Sequence, residues 1–246
     1  MFFFKKKKLV VDAVVSEKHI HAYNHAKIDH ANKFYPDWWK NLPKAEFDFF
    51  RMERINESMR LCAGFTEHYS RGLIMPMWSD LAIKTSNMQY IYHYSDGTSS
   101  CEHHNMEQRK GFYEDHLNVK IVSPWLIMSE KNVPFTFLPP MWNNTVKPKY
   151  ELAIGTVNFY YQYATHINTL IKDNQEIFIP FRQPILHLMP QTEREIDLRH
   201  HLVTENEFER KRNKSHQISF IGSYFKTKKY IESTEKSKCP FHGLLK

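Results

Sequence analysis

Glycine is scarce in this chain, at seven of 246 residues. Neither GxGxxG nor GxxxxGK[ST] occurs, which excludes the two glycine-rich loops that bring backbone N–H groups against phosphate, and nucleotide binding by those devices. Cysteine is scarce too. Cys62, Cys101 and Cys239 are an odd set with no CxxC pair. They exclude a disulfide framework, point to a reducing compartment and read as packed thiols rather than nucleophiles. No GxSxG nucleophile elbow is present. Long apolar runs are missing as well. Leu9–Val15 contains Asp12 and falls far short of the ~20 residues a membrane helix needs. The opening MFFFKKKK puts its aromatics ahead of its lysines, the reverse of a secretory signal. A soluble intracellular protein without a membrane partner is the expectation.

What the chain does have is aromatic mass and extended-strand patterning. Apolar residues make up 41% and aromatics 15%, enough for a core and too much for global disorder. The stretch from Ile154 to Pro190 reads as successive strands at Gly155–Tyr163, Ile167–Ile171 and Ile177–Ile179. A tight turn at Phe181–Pro184 then leads into Ile185–Met189. Further strands are expected at Leu9–Val15, Leu73–Trp78, Leu81–Thr85, Met88–Tyr94, Val119–Met128 (interrupted by Pro124) and Val133–Leu138. Ser95–Thr98 is read as the turn of a hairpin beginning with Met88–Tyr94. A short helix from Pro36 or Asp37 to Pro43 and another over Leu61–Arg71, with Gly72 as its cap, complete the elements. Nine or ten closely spaced strands without helical alternation predict a mainly β protein. Its form is a single sandwich or barrel, β-clip or cupin-like, with short peripheral helices, an N-terminal arm and a basic C-terminal tail. The divisions are 1–60, an N-terminal strand and Trp-rich arm with an irregular segment over Glu46–Arg60; 61–191, the β-rich core; and 192–246, a charged extension with a candidate capping box at Thr204–Glu207.

Two kinds of site are suggested by residue chemistry. Glu102, His103 and His104, with Gln108 and with His93, His166 or His187 arriving from another strand, are ligand types that zinc or non-haem iron accepts. Fifteen histidines make accidental clusters common, so packing or surface histidines are the competing reading. His187, flanked by leucines, is expected at a rim or interface. His19, His21, His25, Asp29 and His30 form a second group, in which His21 and His25 would share a helical face. The other kind of site is an interaction surface. Trp38, Trp39, Trp142, Tyr160 and Tyr161 belong to an aromatic set in which adjacent side chains cannot all face inward, so some are expected at a contact surface. The net charge of +7 gathers at Lys5–Lys8, Arg210–Lys214 and Lys226–Lys229, where nucleic acid or an acidic partner could be held.

The segments FYPDWWKNLP (34–43), MRLCAGF (59–65), GLIMPMWSDL (72–81), SPW (123–125), FIPFRQPILHLMP (178–190) and KCPF (238–241) resemble a family of uncharacterised proteins. That family belongs to large contractile-tailed phages of marine cyanobacteria and related bacteria. The resemblance spans nearly the whole chain. It implies a viral origin and a place in the host cytoplasm or the virion, and it brings no established activity with it. A fainter likeness links Ile154–Pro190 to the closing strands of dUTPase and dCTP-deaminase β-clip enzymes. Where those carry a catalytic acid, this chain has Asn158, Phe159 and Tyr160, so no catalytic residue is carried over. The leading expectation is a phage-encoded, non-catalytic binding or assembly protein with a homo-oligomeric, viral or host partner. A cupin-like metal enzyme and a degenerate β-clip nucleotide binder are the alternatives.

Overall fold

The structure, a computed structural model, describes residues 7–55, 57–104, 113–144, 146–216, 225 and 228–233. Gln108, Cys239, Lys5 and much of the Lys226–Lys238 tail lie outside them. In chain order the strands are β1 (Leu9–Ser16), β2 (Asp29–His30), β3 (Glu46–Asp48), β4 (Glu53–Ile55), β5 (Leu73–Pro76), β6 (Leu81–Ser86), β7 (Gln89–Tyr94) and β8 (Cys101–His103). There follow β9 (His116–Ser129), β10 (Phe135–Leu138), β11 (Tyr150–Leu152), β12 (Gly155–Val157), β13 (Ala164–Lys172), β14 (Glu176–Ile179), β15 (Pro184–Pro190) and β16 (Ile196–Val203). The helices are α1 (Ile20–His25), α2 (Asp37–Lys40), α3 (Ala63–Ser70) and α4 (Glu205–His216).

The protein is mainly β and folds as a sandwich. One layer is the sheet β11–β13–β9–β1–β16, with β8 also paired to β9; the other is β12–β10–β15–β5–β2. Period-two alternation turns Leu9, Val11 and Ala13 of β1 and Leu117, Val119 and Ile121 of β9 inward. They meet Leu73 and Met75 of β5, Leu186 and Leu188 of β15 and Phe135 of β10 in one continuous core. Trp78 and Trp125 are fully buried there. Among the described residues no sheet closes on itself, so the sandwich stands and the barrel does not. The smaller sheet β14–β6–β7 adds Leu81, Ile83, Ile177 and Ile179 to the same core.

Three expectations change for physical reasons. β9 runs through Pro124 without a break. Residues 125–129 are served by β1 and residues 116–122 by β13, whose register shifts between Ala164 and His166, opposite the proline that has no N–H to give. β7 does not pair beyond Ser95–Thr98. It returns to β6 through Asn87 and Met88, both at positive φ, the backbone that a two-residue hairpin requires. Third, the core reaches past 61–191. β1 and β16 lie side by side, in parallel, within the larger sheet. The charged look of Glu193–Arg199 is that of an edge strand, Ile196 facing in and Arg199 out. The Thr204 hydroxyl accepts the Glu207 N–H at 3.4 Å, and α4 seats Phe208 against Val14 and Leu126 on the outer face of the sheet.

Candidate binding cleft

The proposed metal ligands do not converge. Glu102 faces Lys120 across the β8–β9 ladder, with Nζ 2.9 Å from Oε2. Burial pushes the Glu102 carboxyl up, but the lysine hydrogen bond and charge outweigh it and hold the group below its ordinary value. His103 lies on the other face of β8, its ring 5.7 Å from that of Tyr90. His104 Nε2 is 3.0 Å from Asn168 Oδ1. His93 sits on β7 in a different sheet, opposite Ala82. His187 belongs to the facing layer, where its Nε2 bonds the Arg71 carbonyl at 2.9 Å and its Nδ1 meets His68 at 3.2 Å. It is completely buried rather than at a rim, because α3 covers the outer face of β15 at that point. His21 and His25 do share a face of α1, their rings 4.9 Å apart, while His19 turns toward Asp96. Among the described residues no three His, Cys, Asp or Glu side chains gather where a metal could be held.

The aromatic surface is smaller than the alternation argument predicts. Trp39 is interior: it stacks on Tyr35 at 4.3 Å and on Phe65 at 5.4 Å, donates from Nε1 to the Met59 carbonyl and lies under the Arg60 guanidinium. Tyr161 is interior as well. β12 ends at Val157, and Asn158 makes a turn by accepting the Tyr160 N–H at 3.0 Å and donating to the Lys131 carbonyl at 2.6 Å. Residues 159–161 therefore form a turn rather than the end of a strand. Phe159 and Tyr161 both point inward, and the Tyr161 hydroxyl reaches Glu232 at 3.1 Å. Tyr160 is half-buried beside Tyr161. Trp38, 37% exposed, and Trp142, 45% exposed, remain at the surface, with Trp38 Nε1 donating to the Trp142 carbonyl.

Asn143, the residue after Trp142, begins the lining of a cleft of about 570 Å³ that sequence reasoning missed. One wall is the segment after Trp142. Asn143 fixes it to the aromatic cluster, accepting from the Tyr69 hydroxyl at 2.6 Å and donating to the Phe34 carbonyl at 2.7 Å. The other wall is the turn from β14 to β15, and Gln183 donates across to Asn144 at 2.8 Å. That turn is held from three sides. Gln183 N–H closes on Pro180, Phe181 N–H bonds Asp80, and Arg182 N–H bonds Met77. Arg182 has φ +66° at a turn position that glycine favours, and its side chain is exposed. Lys147, Lys149 and Arg182 line the cleft together with Phe178, Phe181 and Tyr150. Its carboxylate, Glu176, is engaged by Lys84 at 2.6 Å, an exposed pair in which the shared hydrogen bond lowers the acid and raises the lysine. Burial pushes the Tyr150 phenol up to about 12, so it stays protonated.

The lining therefore offers three cations, flat rings and amides, with no nucleophile beside a base. Charge and rings of this kind complement an anion attached to an apolar ring. The signal in the sequence was Arg182 between Pro180 and Pro184, with Lys147 and Lys149 around Pro148. Reading Phe181–Pro184 only as a tight turn left the charge of Arg182 unused. Comparison with protein-family models, with curated proteins and with solved structures gave no match.

Proposed function

We propose that this chain is a non-catalytic binding and assembly protein, and that the cleft beside Trp142 is where it takes its partner. The observation that carries this reading is the gathering of Lys147, Lys149 and Arg182 around Phe178 and Phe181 on two mutually pinned walls. The ligand that suits it is an acidic segment carrying exposed aromatic side chains, since carboxylates answer the cations and rings answer the apolar floor. The family resemblance gives such a partner a setting in phage assembly or in the infected host.

A planar aromatic sulfonate such as anilinonaphthalene sulfonate has both features and serves as the probe. Its fluorescence titration should show one Arg182-dependent class of sites. Arg182→Glu combined with Lys147→Glu should weaken binding at least ~10-fold, as removal of paired charges does. Arg182→Gly separates binding from folding. Relief of the positive φ offsets the entropy of glycine, so unfolding free energy should hold or rise by up to ~1 kcal/mol while the probe is lost. Unchanged probe affinity in both variants would remove the cleft as the site.

A further inference from the structure

Opposite in character to the cleft is the β3–β4 hairpin. Its strands pair with each other and with no other strand in the described residues. Asp48 orders the tip by accepting the N–H groups of Phe50 and Arg51 at 2.9 and 3.2 Å, and Ser58 N–H closes the base on the Lys44 carbonyl. On this ordered frame Phe49 is 79% exposed, Met52 75%, and Phe50 fully exposed, with Phe47 packed against Phe49. Large apolar side chains concentrated this way on a projecting element mark a contact surface. The same segment, 45–57, is acidic, with four carboxylates against two arginines. One of those arginines, Arg51, lies 3.7 Å from both Asp48 and Glu53.

The hairpin is thus an acidic, ring-bearing projection, and the cleft is a cationic, ring-lined depression continuous with the exposed faces of Phe178 and Ile91 on the β14–β6–β7 sheet. We propose that the occupant of the cleft is the β3–β4 hairpin of a second copy of this chain. The inference rests on the cleft being a binding site, as argued above, and names its partner. Donor and acceptor are different patches, so the contact is head-to-tail. Repetition gives a ring if the rotation closes and a growing string if it does not. A single hairpin covers less than the ~1,200 Å² of a standard interface, so association should be weak and concentration-dependent.

Sedimentation velocity with two complementary variants tests this. Phe49→Asp with Phe50→Asp removes the donor; Arg182→Glu with Lys147→Glu removes the acceptor. All four side chains lie at the surface, and melting curves confirm that both variants fold. Wild type should grow beyond dimer as concentration rises, each variant alone should remain monomeric, and an equimolar mixture should form dimers and nothing larger. A mixture that stays monomeric, or an acceptor variant that still self-associates, overturns the head-to-tail contact. Anilinonaphthalene sulfonate separates the two readings. A wild type that is monomeric throughout but binds the probe through Arg182 refutes the self-partner and keeps the cleft. A wild type that does neither refutes both.

Discussion

Gly72→Ala should cost the fold ~3 kcal/mol or more, among the largest effects available from adding one methyl group. Gly72 links α3 to β5 with φ +81°, where an L side chain costs ~1–2 kcal/mol on its own. A Cβ there would stand 2.5 Å from the Leu188 carbonyl and 2.9 Å from His187 Nε2. Neither neighbour can retreat. Leu188 is a rung of the β15–β5 ladder, and His187 is buried and bonded on both ring nitrogens. Overpacking of that kind adds ~1–3 kcal/mol. Gly64 is the internal control: it sits in α3 with nothing within 4 Å of its Cβ position. Gly64→Ala should therefore stabilise by up to ~1 kcal/mol through helix propensity. Urea unfolding of the pair measures both, and a Gly72→Ala protein within ~1 kcal/mol of wild type would contradict the packing described.

Acid should weaken the fold well above the range in which carboxylates titrate. His187 Nε2 donates to the Arg71 carbonyl, which can only accept; Nδ1 is then the acceptor, and His68 Nε2 must donate to it. Burial, with the charge of His68 adding to it, brings His187 down from 6.5 to about 4, even though its bond to Arg71 favours the proton. Burial lowers His68 in the same direction. Because the folded value lies below the unfolded one, the unfolded chain binds more protons between the two. The full contribution is present above pH ~6.5 and is lost as pH falls toward ~4. A gap from 6.5 to about 4 corresponds to ~3 kcal/mol. Protonated Nδ1 would face the His68 N–H donor, so the ring of His68 would have to change tautomer as well. Unfolding free energy followed from pH 7 to pH 4 should fall by about that amount, and His187→Gln, which cannot titrate, should flatten this limb. Equal slopes in the two proteins would show that the buried pair does not control acid stability.

The strands were legible wherever one face is buried and the other is not. Leu81–Thr85 alternates cleanly and its position follows from the period alone, while Leu9–Val15 alternates only as far as Ala13, because Phe208 of α4 covers Val14 on the outer face. Legibility failed where pairing partners, not periodicity, decide the outcome. Asn87 and Met88 form the hairpin because their backbone enters the left-handed region, while the stronger-looking Asp96-Gly97 pair carries the chain to another sheet. Trp39 and Tyr161 were assigned to the surface by counting faces on a regular strand or helix; Tyr161 lies in a turn stabilised by Asn158, and Trp39 is covered by Arg60. The candidate metal ligands were separated by folding, since His93 lies on β7 and His103 on β8, in different sheets. The cleft was invisible for a related reason. Its walls come from separate stretches of sequence, and the hydrogen bond between Asn144 and Gln183, 39 residues apart, has no local signature.

The central claim is that Lys147, Lys149 and Arg182 make the cleft the binding face of the molecule. Amide hydrogen exchange, measured with and without a synthetic peptide of residues 45–57, tests it most directly. Protection should appear over 146–150 and 176–184 and vanish in Arg182→Glu with Lys147→Glu. Protection centred instead on Cys101–His104, or none over the cleft with either the peptide near ~1 mM or anilinonaphthalene sulfonate, would contradict the account.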